Sequence, residues 1–366
     1  MQKVEVALGQ RSYPILVGND LLDTLGWECQ KLGLGGACAV ITDTKVTRRY
    51  GERAMASLRA CGFRPLRITI PSGERAKALR YVERCYDQLA HHRLERKSFI
   101  VALGGGVVGD LAGFVAATYL RGIDFVQIPT TLLAQVDSSV GGKVGINLKA
   151  GKNLVGAFYQ PKLVLCDLST LRTLPRREFR AGLAEVIKYG IIYDADFFHT
   201  LETDLTALLR QDPGILAAVV ARCCQIKAEV VSQDETEGGL RAILNFGHSI
   251  GHALEAVLGY GTLLHGEAIS IGQVAAAELS VLTCGLLRPE ADRIRALFRK
   301  AGLPTTIDLT PDQQKRVRAA MALDKKVSGG EIKFVLASRI GKVAWGQRVS
   351  VPLIDRALAA SKESDS

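Results

Sequence analysis

The sequence lacks several features that would place it in common classes of protein. No stretch of eighteen uncharged apolar residues occurs in its 366 residues, so no membrane-spanning helix is expected. The opening residues, MQKVEVALGQ, contain no apolar segment typical of a signal peptide. None of the eight cysteines lies in a CxxC pair, which argues against a zinc knuckle or a disulfide framework. We therefore expect a cytoplasmic protein with reduced, mostly buried thiols.

The sequence also has no basic run with interleaved aromatic residues, although its formal net charge is +10. Lysine and arginine alternate with acidic residues, and the densest basic patch, residues 172–180, has the composition of a solvated loop. Such a pattern does not favour nucleic-acid binding. A few cations in a cleft are enough for a small anionic substrate, which the wider positive field would attract. We expect that kind of substrate, and neither a nucleic-acid nor a membrane partner.

The pattern of predicted secondary structure changes near residue 175. Up to that point, short apolar strands alternate with helical segments, which is typical of an α/β domain with a mostly parallel, Rossmann-like sheet. Residues 3–8 and 13–18 are predicted to form a hairpin. Beyond residue 175 helical periodicity dominates, with two short strands predicted near the end. We predict domains at 1–175 and 176–366, the second mainly α-helical. Its predicted helices are 178–190, 195–210, 213–233, 246–258, 266–284, 288–301 and 311–323.

A glycine motif follows one of the predicted strands. Gly104, Gly106 and Gly109 satisfy GxGxxG after the strand SFIVALGGG and at the start of a helix, the context of a dinucleotide-binding turn. Backbone N–H groups at such a helix start can bind a pyrophosphate. Asp43, at the end of an earlier strand, is a better candidate for the ribose hydroxyls than Asp124, which begins the next strand. The alternative is a structural turn without a ligand.

Three of the six histidines lie between residues 245 and 267. His248 and His252 are four residues apart on a predicted helix, so both imidazole rings can face one point. His265 follows thirteen residues later. Imidazole is the commonest metal ligand in proteins. The alternative is one or two core histidines with satisfied hydrogen bonds and one loop histidine, because this spacing is less specific than a full HExxH motif.

Six longer segments extend these observations over essentially the whole chain. In order they are GGGVVGD, IPTTLLAQVDSSVGGKVGIN, GKNLVGAFYQP, GLAEVIKYG, LNFGHSIGHALE and HGEAISIG. Together they closely resemble the 3-dehydroquinate synthase family of the sugar-phosphate cyclase superfamily. The resemblance implies an NAD-binding α/β domain, a helical metal- and substrate-binding domain, and an active site in the cleft between them. It also implies NAD, one divalent metal (Zn²⁺ or Co²⁺) and a homodimer.

The activity that the resemblance implies is the conversion of 3-deoxy-D-arabino-heptulosonate 7-phosphate to 3-dehydroquinate and phosphate. This is the second step of the shikimate pathway, and it proceeds without net oxidation. Sister cyclases that form 2-deoxy-scyllo-inosose or 2-epi-5-epi-valiolone remain an alternative. So do a metal-dependent alcohol dehydrogenase, which would accumulate NADH, and a degenerate NAD-binding protein, which would lack a ligand or a phosphate lysine.

The resemblance assigns the metal ligands as Glu185, His248 and His265, and moves His252 to the substrate. It implies Arg121 as a residue supplied by the partner subunit to the phosphate. The other implied substrate residues are Asp137, Lys143, Lys188, Lys227, Arg241, Asn245 and one of Lys325 and Lys326.

The resemblance further implies a set of cofactor-binding residues, which centres on Asp43 and on the glycine motif. Lys143 is also assigned to this set. The remaining members are Ser72, Gly73, Glu74, Lys77, Gly105, Gly106, Val107, Val108, Gly109, Asp110, Thr130, Thr131, Lys152, Asn153, Thr170, Leu171, Arg172 and Thr173.

Overall fold

A computed structural model describes residues 1–259, 261–323, 327–328 and 331–363. By their contacts the described residues divide into two units, the first of which comprises Met1–Pro175 together with Leu216–Glu235. Nine strands belong to the first unit: β1 (Gln2–Val6), β2 (Tyr13–Gly18), β3 (Ala37–Asp43), β4 (Arg64–Ile70), β5 (Phe99–Gly104), β6 (Asp124–Pro129), β7 (Lys143–Leu148), β8 (Gly151–Phe158) and β9 (Leu163–Asp167).

Seven of these strands form one twisted sheet in the order β1-β2-β9-β6-β5-β3-β4. All neighbouring pairs are parallel except β1 with β2, which pair antiparallel, so the predicted N-terminal hairpin is confirmed. The chain passes from β3 outward to β4 and then returns to β5 on the other side of β3. The carboxyl ends of β3 and β5 therefore flank a topological switch point, where ligands bind in open α/β sheets.

Alternate residues of the central strands pack on opposite faces of the sheet. Ile100 and Ala102 of β5 join one buried cluster, whereas Val101 and Leu103 join the other. A strand buried on both faces is almost wholly apolar, as the segment FIVALG is. The helices that cover this sheet are α1 (Leu25–Lys31), α2 (Glu52–Ala60), α3 (Leu79–His91) and α4 (Gly106–Thr118), and α7 (Pro213–Gln233) also lies mostly in this unit.

Strands β7 and β8 form a separate antiparallel hairpin, which the sequence analysis did not predict. Its inward residues Val144 and Ile146 join the core cluster under α4. Lys143 pairs with Phe158 and Gly145 with Gly156. Two glycines opposite each other carry little strand signal, and Gly151 begins β8 directly after the two-residue turn of Lys149 and Ala150. The alternation of apolar and polar residues is therefore weak here.

The second unit comprises Arg176–Ile215 and Thr236–Ser366. Its helices are α5 (Arg176–Ile192), α6 (Ala195–Leu209), α8 (His248–Leu258), α9 (His265–Thr283), α10 (Arg288–Lys300), α11 (Pro311–Leu323) and α12 (Val351–Glu363). The strands β10 (Val327–Ser328), β11 (Glu331–Arg339) and β12 (Lys342–Val349) form an antiparallel sheet in chain order. The predicted helices and the two predicted late strands are present, whereas α12 was not predicted.

The structure places the first boundary of the units after Pro175, but assigns Leu216–Glu235 to the first unit. The second unit is therefore discontinuous along the chain, whereas the predicted boundary at residue 175 divides the chain only once. Among the described residues, no helix is long and apolar enough to cross a membrane. The functional assignment of the two units stays a prediction.

Candidate functional site

The glycine motif lies at the end of β5 and the start of α4. A Cβ on Gly104 would lie 2.6 Å from Val108 Cγ2, and one on Gly109 would lie 2.7 Å from Gln127 Oε1 on the neighbouring β6. The glycines thus permit a tight turn and a close approach of helix to strand, as a dinucleotide turn requires. The structure also brings Gly105, Gly106, Val107 and Val108 of the predicted cofactor set to this helix start.

Asp43 lies at the same edge of the sheet, at the end of β3. Its Oδ1 accepts hydrogen bonds from the backbone N–H groups of Lys45, at 2.7 Å, and Val46, at 3.1 Å. The Ser72 hydroxyl, which follows β4, donates to the same oxygen at 2.5 Å. Two neighbouring strand ends are therefore linked through Asp43 and Ser72, in the position where a ribose would meet a carboxylate in a dinucleotide fold.

The aspartate that follows the glycine motif, Asp110, has a buried lysine as its partner. Lys77 forms an ion pair with Asp110, and its ammonium donates to Asn153 Oδ1 at 2.5 Å. Asn153 has a left-handed backbone (φ 56°). Asp110, which the usual glycine fingerprint does not require, thus holds Lys77 beside the start of α4. The structure therefore places three predicted cofactor residues from separate segments in contact: Lys77, Asp110 and Asn153.

Asn147 connects the same segments, although the sequence analysis did not select it. Its amide donates to Glu74 Oε1 at 2.7 Å, and its Oδ1 accepts from the Asn153 backbone N–H at 2.9 Å. Its own N–H donates to the Lys77 carbonyl at 2.8 Å. The only signal in the sequence was a polar residue inside the apolar strand β7.

Most of the other predicted cofactor residues lie on turns that follow β6 and β9. The Thr130 N–H donates to the Gly104 carbonyl at 3.0 Å, so the ends of β5 and β6 are tied together. Tyr50 holds the 3₁₀ turn Leu168–Thr173 by hydrogen bonds to the Thr170 carbonyl, at 3.2 Å, and to the Thr173 hydroxyl, at 2.6 Å. Of the remaining predicted members, Thr131 follows β6, and Leu171 and Arg172 lie on the 3₁₀ turn. Gly73 follows β4, and Lys152 lies within β8.

One predicted substrate pair also lies within the first unit. The Lys227 ammonium, on α7, donates to the Asp137 backbone carbonyl at 2.5 Å and to its Oδ1 at 2.8 Å. Lys227 is buried, and Asp137 is half-buried on the π-helical turn Ala134–Ser138. Lys143 is exposed at the start of β7, and Arg121 is exposed on a turn after α4.

In the second unit, two histidines face a buried glutamate, and a third histidine lies beside them. Glu185 Oε1 on α5 lies 3.5 Å from His248 Nε2 and 3.7 Å from His265 Nε2. The candidate ligand nitrogens of His248, His252 and His265 all lie within 4.8 Å of one another. Residues 63 to 80 positions apart in the sequence are thus gathered at one point, with His252 on the exposed side.

Close helix contacts bring these side chains together. A Cβ on Gly266 would lie 1.8 Å from the Ala181 carbonyl oxygen, so α9 meets the α5 backbone one residue after His265 and one turn before Glu185. Gly272 similarly meets the Gly247 carbonyl, just before His248. These small residues allow three helices to approach closely enough for their ligand side chains to converge.

The Nδ1 atoms of two histidines have partners that orient the rings. His248 Nδ1 lies 3.1 Å from the Phe246 carbonyl, and His265 Nδ1 lies 3.1 Å from Glu255 Oε2. Carbonyl and carboxylate oxygens only accept, so each Nδ1 carries the proton. Each Nε2 is thereby directed to Glu185. Glu255, which the sequence analysis did not select, lies on α8 three residues after His252.

The dimensions and the donor types of this cluster fit a divalent cation. Zinc bonds of about 2.0 to 2.1 Å in a tetrahedron separate neighbouring ligand atoms by about 3.4 Å, close to the measured 3.5 and 3.7 Å. Burial lowers the pKa of His248 well below its ordinary value, which keeps the ring neutral and able to bind a metal. One carboxylate and two imidazoles leave further coordination positions open.

Three further predicted substrate residues lie in the second unit, and one of them contacts this cluster. Lys188 is buried and forms an ion pair with Glu185 one turn earlier on α5. Arg241 is buried on the 3₁₀ turn Leu240–Asn245, and Asn245 donates to Glu237 Oε1 at 2.9 Å. Lys325 and Lys326 lie outside the described residues.

Two family models match adjacent parts of the chain. The model described as 3-dehydroquinate synthase N-terminal matches residues 67–181, and the C-terminal one matches residues 182–327. The chain belongs to the 3-dehydroquinate synthase family. A relative from Nitrosomonas europaea, named 3-dehydroquinate synthase, is 49% identical over 98% of both chains. The family assignment made from the motifs is confirmed.

Two solved structures of related cyclases confirm the predicted fold class of this 3-dehydroquinate synthase family member. A 2-epi-5-epi-valiolone synthase from Streptomyces hygroscopicus, with NAD⁺ and Zn²⁺ bound, is 31% identical with a TM-score of 0.88, over 98% of this chain and 99% of that one. A 2-deoxy-scyllo-inosose synthase, complexed with carbaglucose-6-phosphate, NAD⁺ and Co²⁺, is 27% identical with the same TM-score and coverage.

Proposed function

We propose that this chain catalyses the conversion of 3-deoxy-D-arabino-heptulosonate 7-phosphate to 3-dehydroquinate and phosphate. The geometric observation that carries the proposal is the cluster of Glu185 with His248 and His265, which offers one carboxylate oxygen and two imidazole nitrogens. The 49% identity to a relative named 3-dehydroquinate synthase supports the substrate. Transient oxidation, phosphate elimination, re-reduction, ring opening and intramolecular aldol closure produce no net redox change.

The residues fit two cofactors, NAD and one divalent metal, Zn²⁺ or Co²⁺. When bound, NAD supplies reversible hydride acceptance, and the metal supplies Lewis-acid polarisation of substrate oxygens. Glu185, His248 and His265 would hold the metal. The turn after β5, with Asp43 and Lys77, would hold NAD, because helix starts bind pyrophosphate and carboxylates accept from ribose hydroxyls.

The chain's own polar residues bind and orient the substrate. Lys188 and Arg241 are cationic and buried, so their charges are little screened and suit the phosphate and carboxylate groups. Asp137, held by Lys227, accepts from substrate hydroxyls. A phosphate oxygen of the substrate takes the proton during elimination. Positioning and charge stabilisation are therefore the main contributions of the protein. Lys143, Asn245, His252 and one of Lys325 and Lys326 complete the proposed substrate set.

The test is incubation of the purified chain with the heptulosonate phosphate, NAD⁺ and Zn²⁺, with phosphate and 3-dehydroquinate measured together. We expect equal amounts of both products, loss of activity with a chelator, and no accumulation of NADH. Steady accumulation of NADH would instead support a dehydrogenase. Absence of both products with this substrate would overturn the assignment.

The alternative is a sister cyclase, because two such enzymes share this fold with TM-scores of 0.88, at 31% and 27% identity. These enzymes act on sugar phosphates without a carboxylate. The same assay with glucose 6-phosphate and sedoheptulose 7-phosphate separates the alternatives. Preferred turnover of either compound would replace the proposed substrate.

Metal affinity is expected to fall as the pH is lowered. Burial lowers the pKa of His265, but the carboxylates of Glu185 and Glu255 raise it more, to about 9. Below this pH a metal must displace the proton on Nε2. Affinity should therefore fall by about tenfold for each pH unit below 9. Competition with a chelator of known proton affinity, from pH 6 to pH 8, measures this slope; affinity independent of pH would contradict a protonated His265.

We propose that the enzyme is a homodimer in which Arg121 serves the partner's site. The hairpin of β7 and β8 presents Leu148, Leu154 and Phe158, each more than 40% exposed. Gly122, next to Arg121, approaches Tyr159, the residue after β8: a Cβ there would lie 3.2 Å from its hydroxyl. The hairpin thus carries exposed apolar side chains, and its Phe158 end adjoins the turn of Arg121, an arrangement suited to a subunit contact.

Mixed dimers test this role of Arg121. Arg121→Ala and Lys188→Ala homodimers are each expected to be nearly inactive. If Arg121 acts in the partner's site, half of the randomly mixed dimers contain one complete site, so activity should recover to about a quarter of wild type. Activity after exchange of the subunits is compared with that of the unmixed variants. No recovery, with exchange verified by mass, would refute the action in the partner's site.

We propose a cytoplasmic location as well. All eight cysteines are free thiols, and six of them are buried. Free buried thiols are typical of proteins in reducing compartments.

A further inference from the structure

Glu255 is a buried carboxylate that none of the proposed ligand or substrate roles uses. It lies on α8, seven residues after His248, and only 8% of it is exposed. Its Oε2 lies 3.1 Å from Nδ1 of His265, which begins the next helix. A buried carboxylate is costly unless it is paired or hydrogen-bonded. Its position beside a proposed metal ligand therefore calls for a role.

The contact fixes which nitrogen of His265 is available. An ionised carboxylate has no proton to donate, so Nδ1 of His265 must carry one and donate it to Glu255. The other nitrogen, Nε2, then faces Glu185 Oε1 at 3.7 Å. Hydrogen bonding at Nδ1 also restricts rotation of the ring. Glu255 thus orients His265 and increases the electron density at Nε2.

His248 is supported differently. Its Nδ1 donates to the neutral carbonyl of Phe246 at 3.1 Å, a contact within its own chain segment. His265 stands at the first position of α9, and its Nδ1 instead meets the Glu255 carboxylate, which belongs to α8. A charged partner from another helix thus orients this ring. The two imidazoles are thus oriented by unequal partners, one neutral and one charged.

We infer that Glu255 is a positioning residue, which holds the His265 ring with Nε2 directed at the divalent metal and strengthens it as a ligand. This inference rests on the proposed metal site of Glu185, His248 and His265. It concerns metal affinity and ligand geometry, which can be measured without any turnover.

The test compares Glu255→Gln and Glu255→Ala with the wild-type chain. Loss of such a partner typically weakens metal binding by about 10- to 100-fold. Glutamine retains an acceptor oxygen but loses the charge, so we expect about a tenfold weaker Zn²⁺ affinity. Alanine loses both, and about a hundredfold is expected. Zn²⁺ affinity is measured by chelator competition at pH 9 or above, where proton competition at His265 differs little between the variants. The absorption spectrum of bound Co²⁺ should shift in both variants.

Glu267→Gln is the matched control. Glu267 lies two residues after His265, but its carboxylate binds Arg177 at 2.6 Å and the Leu264 N–H at 2.8 Å. Its replacement removes a carboxylate that is close to His265 in sequence but whose hydrogen bonds go to Arg177 and Leu264. We expect its Zn²⁺ affinity to stay within about twofold of wild type, because exposed ion pairs contribute little.

The outcomes separate the inference from the proposed metal site. If the wild-type chain binds no Zn²⁺ stoichiometrically, both the metal site and this role of Glu255 are wrong. If it binds one Zn²⁺ and both Glu255 variants bind equally well with an unchanged Co²⁺ spectrum, only the positioning role is overturned. An equal loss of Zn²⁺ affinity in Glu267→Gln would also overturn the positioning role, because the removal of any nearby negative charge would then explain the loss. Melting temperatures of the metal-free variants distinguish these results from unfolding, and the glutamine variant keeps the shape of the side chain.

Discussion

Replacing His265 by alanine is expected to abolish stoichiometric metal binding and to leave NAD⁺ affinity unchanged. The variant removes one of the two imidazoles that face Glu185, at 3.7 Å, so a divalent cation would retain one carboxylate and one imidazole. Turnover should fall by roughly a thousandfold or more, because Lewis-acid stabilisation is worth several kcal/mol. The proposed NAD residues lie in the first unit, whereas His265 lies in the second.

Three measurements check this prediction: bound metal by elemental analysis, NAD⁺ affinity by calorimetry, and turnover with the heptulosonate phosphate. His199→Ala is the matched control, since His199 is an exposed histidine of the same unit on α6. Its replacement should change none of the three. Full turnover by His265→Ala after removal of metal would refute the proposed role, and a parallel loss of NAD⁺ binding would indicate general disruption.

The metal cluster shows which site residues can be predicted from sequence spacing and which cannot. Spacing alone indicated a shared helix face for His248 and His252, and the structure does place their rings close together, with centroids 5.2 Å apart. Glu185 could not be found by spacing, since it lies 63 residues before His248 on another helix. Only the motif resemblance pointed to it. The structure brings Glu185 to both His248 and His265, while the assignment of ligands stays a proposal.

The sequence analysis did not select Glu255 and Asn147, because only tertiary contacts distinguish these residues from other polar residues. Glu255 has the spacing of an ordinary helix residue, and only its proximity to His265 Nδ1 distinguishes it. Asn147 links Glu74 to Asn153 across a hairpin that the sequence analysis did not predict. Local patterns report which face of an element is buried, but not which distant polar atom that face meets.

The fold was predictable where periodicity was strong. The buried parallel strands and the long helices of the second unit were assigned correctly, because their apolar runs and periods are clear. The sequence analysis did not predict the glycine-rich hairpin of β7 and β8, the short helix α1, the two-residue strand β10 or the C-terminal helix α12. The contacts of Leu216–Glu235 with the first unit were also beyond sequence analysis, because helical periodicity does not tell which neighbour buries the apolar face.

Replacing Gly266 by alanine is expected to destabilise the second unit and to weaken metal binding together. The added Cβ would lie 1.8 Å from the Ala181 carbonyl oxygen, whereas ordinary contacts exceed 3.4 Å. A backbone oxygen within a helix cannot rotate away, so α9 and α5 must separate. Overpacking of this kind costs about 3 kcal/mol. Because Gly266 adjoins His265 and Ala181 lies one turn before Glu185, the same separation moves two proposed ligands apart.

Gly214→Ala is the control for this prediction, because a Cβ there meets only Asp212 Oδ1 at 3.4 Å, near the start of α7. Denaturant unfolding should show unchanged stability for Gly214→Ala and a marked loss for Gly266→Ala, measured without metal. Zn²⁺ affinity of Gly266→Ala, measured where the variant is still folded, should fall by at least about tenfold. Wild-type affinity combined with reduced stability would mean that the helices separate without moving the ligands, and the contact would then stabilise the fold alone. Unchanged stability would show that α5 and α9 do not approach each other as closely as the 1.8 Å separation requires.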